Sequence, residues 1–135
     1  MIKTDGFFFV HRSMLINPTV TKDAEYFITW IYILSQAEWK TGKMVDFGGQ
    51  VIELQAGQFT VGVYSQMLSD LQKIEKRFNK SKLERILKRF ENEKQIEKRG
   101  SNQCCLITVL NWEKYQQNEN AFENQTRNER ETNEN

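Results

Sequence analysis

The order of periodicities along this 135-residue chain predicts an α+β domain. Three observations carry the prediction. An apolar stripe of helical period fills residues 23–40, and two strand-like runs at 43–47 and 50–54 are joined by Gly48 and Gly49. After a third β-prone run at 58–62, amphipathic helices at 65–75 and 79–93 precede strands at 95–99 and 103–110. Helix, short turn, helix and two-stranded ribbon form the layout of a winged helix-turn-helix, here with an additional β-hairpin.

Residues 6–10, GFFFV, are β-prone and precede His11, Arg12, Ser13 and then Asn17 and Pro18. They predict a short strand or extended entry and a turn before the first long helix. That helix is expected over 23–40. Asp23 is its N-cap candidate, and Glu25 sits in the first turn, where the helix dipole favours an acid. Phe27, Trp30, Ile31 and Leu34 recur at i, i+3, i+4 and i+7. Tyr26, Ile33 and Ala37 widen the stripe, so burial around most of the circumference is expected.

The paired glycines predict a tight primed turn. Ala56 and Gly57 predict another turn, and Phe59 and Val61 alternate with polar neighbours in the strand that follows. Met67, Leu68, Leu71 and Ile74 give 65–75 its apolar side, with Ser65 as N-cap candidate. Asn79 can cap the next helix. Gly100, Ser101 and Asn102 are expected to turn the final ribbon. Trp112 and Tyr115 are expected to pack back and close the folded part, residues 1–117. Beyond it, 118–135 is rich in amides and charges, with Phe122 its one aromatic. Such a stretch cannot bury enough surface to offset its ordering entropy, so a disordered polar tail or linker is expected.

No basic stretch followed by a long apolar run opens the chain, and the apolar region around 27–34 is far short of the ~20 residues of a membrane span. The sequence therefore reads as cytoplasmic, with no membrane partner. Cys104 and Cys105 are adjacent, and strand neighbours point to opposite faces, so a disulfide between them would be strained. With no CxxC and no second cluster, no metal site is expected. One core thiol and one surface thiol in a reducing compartment is the expectation. His11 is the only histidine, read as a partly buried strand-end residue with no matched nucleophile. Phosphate-loop, dinucleotide, zinc-protease and nucleophile-elbow motifs are all missing from the sequence. The reading is therefore of no enzyme: no catalytic residues, no cofactor and no small-molecule substrate.

Net charge is only +1, but it is unevenly spread. Residues 72–100 hold 11 basic and 5 acidic residues, while the segments on either side are net acidic. Advancing about 100° per residue from 79 to 93 gathers Leu83, Ile86, Leu87 and Phe90 on one arc. Ser81, Arg85, Lys88 and Asn92 take the opposite pole. Lys82 and Arg89 fall on one shoulder, Glu84 and Glu91 on the other.

A solvated amphipathic face is the plain reading of that pattern. Against it, Arg85 has like charges at Lys82, Lys88 and Arg89, and each such pair costs an isolated helix roughly 0.2–0.5 kcal/mol. A polyanion lying across the face turns that repulsion into attraction. In a winged helix the N-terminal half of this helix enters the major groove, where amides and small polar groups meet phosphates and longer side chains reach bases. Asn79, Lys80, Ser81, Lys82 and Arg85 occupy that end, and arginine suits a bidentate contact with guanine. Lys88 and Arg89 extend the row. Lys98, Arg99, Ser101 and Asn102, around Gly100, are expected to lie along the backbone or in the minor groove. Double-stranded DNA is the expected partner.

The chain also resembles the N-terminal winged-helix domain of bacteriophage replisome organisers and DnaD-like replication initiation proteins. The resemblance spans about residues 5–117. It rests on GFFFVHRSMLINP at 6–18, EYFITWIYIL at 25–34, LQAGQF at 54–59, KSKLERILKRFE at 80–91 and ITVLNWEKYQ at 107–116. It implies a non-enzymatic, nucleoid-associated role in a bacterial host: binding a phage or prophage origin and helping to assemble the primosome. It also implies self-association and a helicase or helicase-loader partner, functions that usually involve a further C-terminal region. This chain has only the polar stretch 118–135 in that place. It departs from many relatives at 72–78, where the turn between the two helices has no glycine.

Two other readings stand beside replication. A protein-interaction or oligomerisation module draws support from Phe7, Phe8 and Phe9, too apolar for a free sheet edge. A transcriptional regulator would use the same DNA chemistry.

Overall fold

The computed structural model describes residues 3–61, 64–101 and 104–116. The expected tail at 118–135 lies outside them, as does Asn102. The side chains of Tyr64, Ser65, Ser101 and Tyr115 are likewise outside the description. Among the described residues, four α-helices, a short 3-10 helix and two small antiparallel sheets make a mixed α+β structure.

The N-terminal residues 6–10 do not form a strand and carry no regular secondary structure. Aromatic packing holds them instead. Phe9 lies 6.0 Å from Trp39, and Trp39 meets Trp112 edge-on at 5.9 Å. A 3-10 helix, Arg12–Ile16, follows. His11 caps it, its Nδ1 accepting the Ser13 N–H at 3.2 Å, so the imidazole is a half-buried cap and not a strand end.

Helix α1, Ala24–Gln36, begins where expected, with Asp23 Oδ1 accepting the Tyr26 N–H at 3.0 Å. Tyr26, Thr29, Trp30, Tyr32, Ile33, Leu34 and Gln36 are buried around it. It stops short of the predicted residue 40. The reason is a long-range pairing: Glu38 N–H donates to Gln58 O and Gly57 N–H to Glu38 O, both at 2.8 Å. Those bonds draw the chain out of the helix at Ala37, which is already extended.

Strands β1, Lys43–Phe47, and β2, Gln50–Leu54, pair antiparallel with Phe47 opposite Gln50. Gly48 and Gly49 have φ of 60° and 89°. Positive φ at both central residues defines the primed turn that the pair of glycines predicts. Strand β3, Gln58–Val61, joins β5, Cys104–Val109, and β5 joins β4, Ile96–Ser101. The sheet order is β3-β5-β4. The β4 strand includes Gly100 and Ser101, so the ribbon turns later than the sequence suggests, with Ser101 paired to Cys104.

Helix α2, Tyr64–Ile74, starts one residue before Ser65, which therefore does not cap it. Met67 and Leu71 are buried, whereas Ile74, expected on the apolar side, is exposed. Helix α3, Lys80–Asn92, is capped by Asn79, whose side chain accepts the Lys82 N–H at 2.8 Å. The glycine-free turn between α2 and α3 is closed by side chains. Phe78 is buried, and Gln72 Nε2 donates to Phe78 O at 2.9 Å.

The core joins α1, α2 and α3 to one face of the three-stranded sheet. Phe90 sits edge-on to Trp30 at 5.5 Å and to Tyr26 at 6.0 Å. Leu54 and Leu106 are buried apart from that core. Cross-strand register puts Leu106 and Arg99 on the sheet face opposite Ile107 and Cys105. Strand β1 of the hairpin approaches β5. Cys105 is buried and Cys104 half-buried. Helix α4, Trp112–Gln116, then lays Trp112 over Gly57, where a Cβ would fall 2.8 Å from the indole Cγ.

Candidate nucleic-acid interface

Helix α3 turns Leu83, Ile86, Leu87 and Phe90 inward. The inward arc leaves Ser81, Arg85, Lys88 and Asn92 together on the outer face, as the helical period requires, while Asn79 and Lys80 are exposed at the start of the helix, off that row. Glu84 is exposed beside them. At the N-terminus of α3 the Lys82 amide donates to Asn79 Oδ1. The result is a ridge with two long exposed cations, Arg85 and Lys88, beside the small polar Ser81 and Asn92, with a third cation, Lys80, exposed in the first turn to one side.

Two predicted contacts are turned elsewhere. Lys82 is half-buried and reaches Asp23 Oδ2 at 2.8 Å, with Tyr26 5.3 Å below its ammonium. It ties the start of α3 to the start of α1 and does not join the outer row. The hydrogen bond that Lys82 donates to Asp23, and the charge of that carboxylate, raise the Lys82 pKa above the ordinary lysine value. For Asp23, burial pushes the pKa up, but the bonds from Lys82 and from the Tyr26 and Glu25 amides outweigh it and leave the carboxyl below its ordinary value. Arg89 is also half-buried, its Nε covered and without a hydrogen-bond partner among the described residues.

The β4–β5 ribbon lies against the C-terminal half of α3 through Lys98, whose ammonium is 3.4 Å from Glu91 Oε1. Arg99 is exposed, with its guanidinium carbon 5.7 Å from the centre of the Phe47 ring. Ser101 is placed at the end of β4 by its backbone alone, and Asn102 lies outside the described residues. The structure thus gathers Ser81, Arg85 and Lys88 on one face, leaves Asn79 and Lys80 exposed at the start of the helix, and sets Lys98 and Arg99 on the neighbouring ribbon.

Two participants escaped sequence reasoning. Lys22 stands 5.1 Å from the Tyr26 ring and adds a cation beside the α1–α3 junction. Phe47 reaches the ribbon from the separate hairpin. Neither contact leaves a trace in local periodicity.

Among the described residues no group of three or more His, Cys, Asp or Glu side chains could hold a metal ion. No helix there is long and apolar enough to cross a membrane. Comparison with protein families, with curated proteins and with solved structures finds no match to this chain.

Proposed function

We propose that the chain is a winged helix-turn-helix domain that binds duplex DNA, with α2 and α3 as the helix-turn-helix, α3 as recognition helix and β4–β5 as wing. The observation that carries this reading is the exposed row Ser81, Arg85, Lys88 and Asn92, with Lys80 exposed in the first turn, on a capped helix packed beside a basic ribbon. The sheet order β3-β5-β4, with α2 and α3 between β3 and β4, fits the same architecture. The middle segment's excess of positive charge fits a polyanion. On this reading the biological setting is cytoplasmic initiation of phage or prophage DNA replication, with origin DNA, further copies of the chain and a helicase or its loader as partners. That setting rests on the sequence resemblance. A transcriptional regulator would share the DNA chemistry.

Fluorescence anisotropy with a labelled 25-mer duplex at several salt concentrations tests the proposal. Binding should fall steeply as salt rises. Arg85→Ala should weaken binding to the preferred site by about 1–3 kcal/mol and leave non-specific binding less affected. Lys98→Ala should weaken all sequences alike and lower the salt slope by about one. Unchanged binding in both variants would remove this face from consideration.

A second reading has its own observation. Phe7, Leu15 and Ile16 are 76%, 69% and 83% exposed, which suits an interaction module that pairs with another copy or another protein. Sedimentation that finds only monomer at high concentration would eliminate the self-pairing version.

A further inference from the structure

We propose that Phe47 is a positioning residue for the wing: its ring holds Arg99 by the face of the guanidinium and presents the edges to the DNA backbone. The inference rests on the duplex-DNA reading above and deepens it by giving the additional hairpin a part in the same site.

The geometry brings the ring and the guanidinium together. The turn at Gly48 and Gly49 is tight, and Asp46 Oδ1 accepts the Gly49 N–H at 3.0 Å. Phe47 is the last paired residue before that turn, so its ring is carried on a stiff tip. Strand β1 of the hairpin approaches β5, and Phe47 arrives half-buried over the ribbon. Its centroid is 5.7 Å from the Arg99 guanidinium carbon, within the range of a cation–π contact.

Gly100 makes the approach possible. A Cβ there would lie 3.0 Å from Phe47 Cζ and would also collide with the Cys104 carbonyl oxygen. The residue also has a φ of 109°, which L side chains rarely adopt.

Guanidinium donors all lie in the plane of the group. An aromatic ring that takes the face therefore leaves the N–H edges available for phosphate oxygens. An arginine held this way also loses less rotamer freedom when DNA arrives. A bare ribbon would present the same charge with no such order.

The test is a double-mutant cycle on the full 135-residue chain, read by anisotropy with the same 25-mer at several salt concentrations. Phe47→Leu keeps apolar bulk on the sheet and removes the π face. It should weaken binding about two- to fivefold and lower the salt slope, with Phe47→Tyr restoring both. In an Arg99→Ala background, Phe47→Leu should change nothing further. Equal losses in both backgrounds, or no loss in the unaltered one, would overturn the positioning role while leaving DNA binding intact. Failure of the unaltered chain to bind any duplex would instead overturn the DNA reading, and this inference with it. A circular-dichroism melt of each variant separates lost contact from lost fold.

Discussion

Asp23 serves two helix starts with one carboxylate. One oxygen caps α1 through the Tyr26 N–H, and the other receives the Lys82 ammonium from α3. These jobs separate by substitution. Asp23→Asn retains a capping oxygen and discards the charge, so it should cost no more than about 1 kcal/mol for this partly exposed pair. Asp23→Ala loses the cap as well and should cost about 1 kcal/mol more. Urea denaturation of the three proteins reads the order directly, and equal losses would refute the capping share. The pH dependence follows from the shifts. Because folding lowers the Asp23 pKa from its ordinary 3.8, its contribution is present above that value and lost as pH falls through the lower folded value. Lys82, raised from 10.5, contributes below that value and loses its contribution as pH climbs through the higher folded one. The advantage over Asp23→Asn should therefore be widest between those limits and fade in acid.

At the scale of elements, α3 and the paired-glycine hairpin were legible in the sequence, because period, cap and turn residues are all local signals. The end of α1 was not, since Glu38 leaves the helix to pair with Gln58 on a strand that periodicity cannot see. The same limit hid the Lys82–Asp23 pair, whose members are 59 residues apart, and turned one predicted DNA contact into a strut. The N-terminal aromatic run suggests a strand, but the segment is held by ring contacts instead, Phe9 against Trp39 and Phe7 edge-on to Phe9, with Phe7 left exposed. Two element-level outcomes are expected. Phe90→Ala empties the junction of α3 with Tyr26 and Trp30 and should cost about 3–5 kcal/mol in denaturant. Gly57→Ala must fit a methyl against the Trp112 indole at a φ of 88°. A loss of about 1–3 kcal/mol, seen as a lowered Tm, is expected. An unchanged Tm would mean that α4 shifts freely.

Taken whole, the molecule separates its anchoring side from its charged side. Trp30 and Phe90 bind the helices to the sheet from within, Trp39 and Trp112 clasp the N-terminal segment to α4, and Arg85 and Lys88 of α3 face outward. The proposed DNA face therefore has little role in the fold. Substituting Lys80, Arg85 and Lys88 together should abolish salt-sensitive duplex binding yet shift stability by less than about 1 kcal/mol. Relief of like-charge repulsion along the helix could even make the sign favourable. The three indoles have a practical consequence. All of the chain's tryptophans sit in the aromatic packing and none on the α3 ridge, so their emission should follow unfolding and ignore an arriving duplex. A tryptophan-monitored urea titration thus becomes a label-free affinity assay. Duplex at a hundred times its Kd should raise the apparent unfolding free energy by about 2.7 kcal/mol, and a curve that does not move would report that the native chain leaves DNA alone.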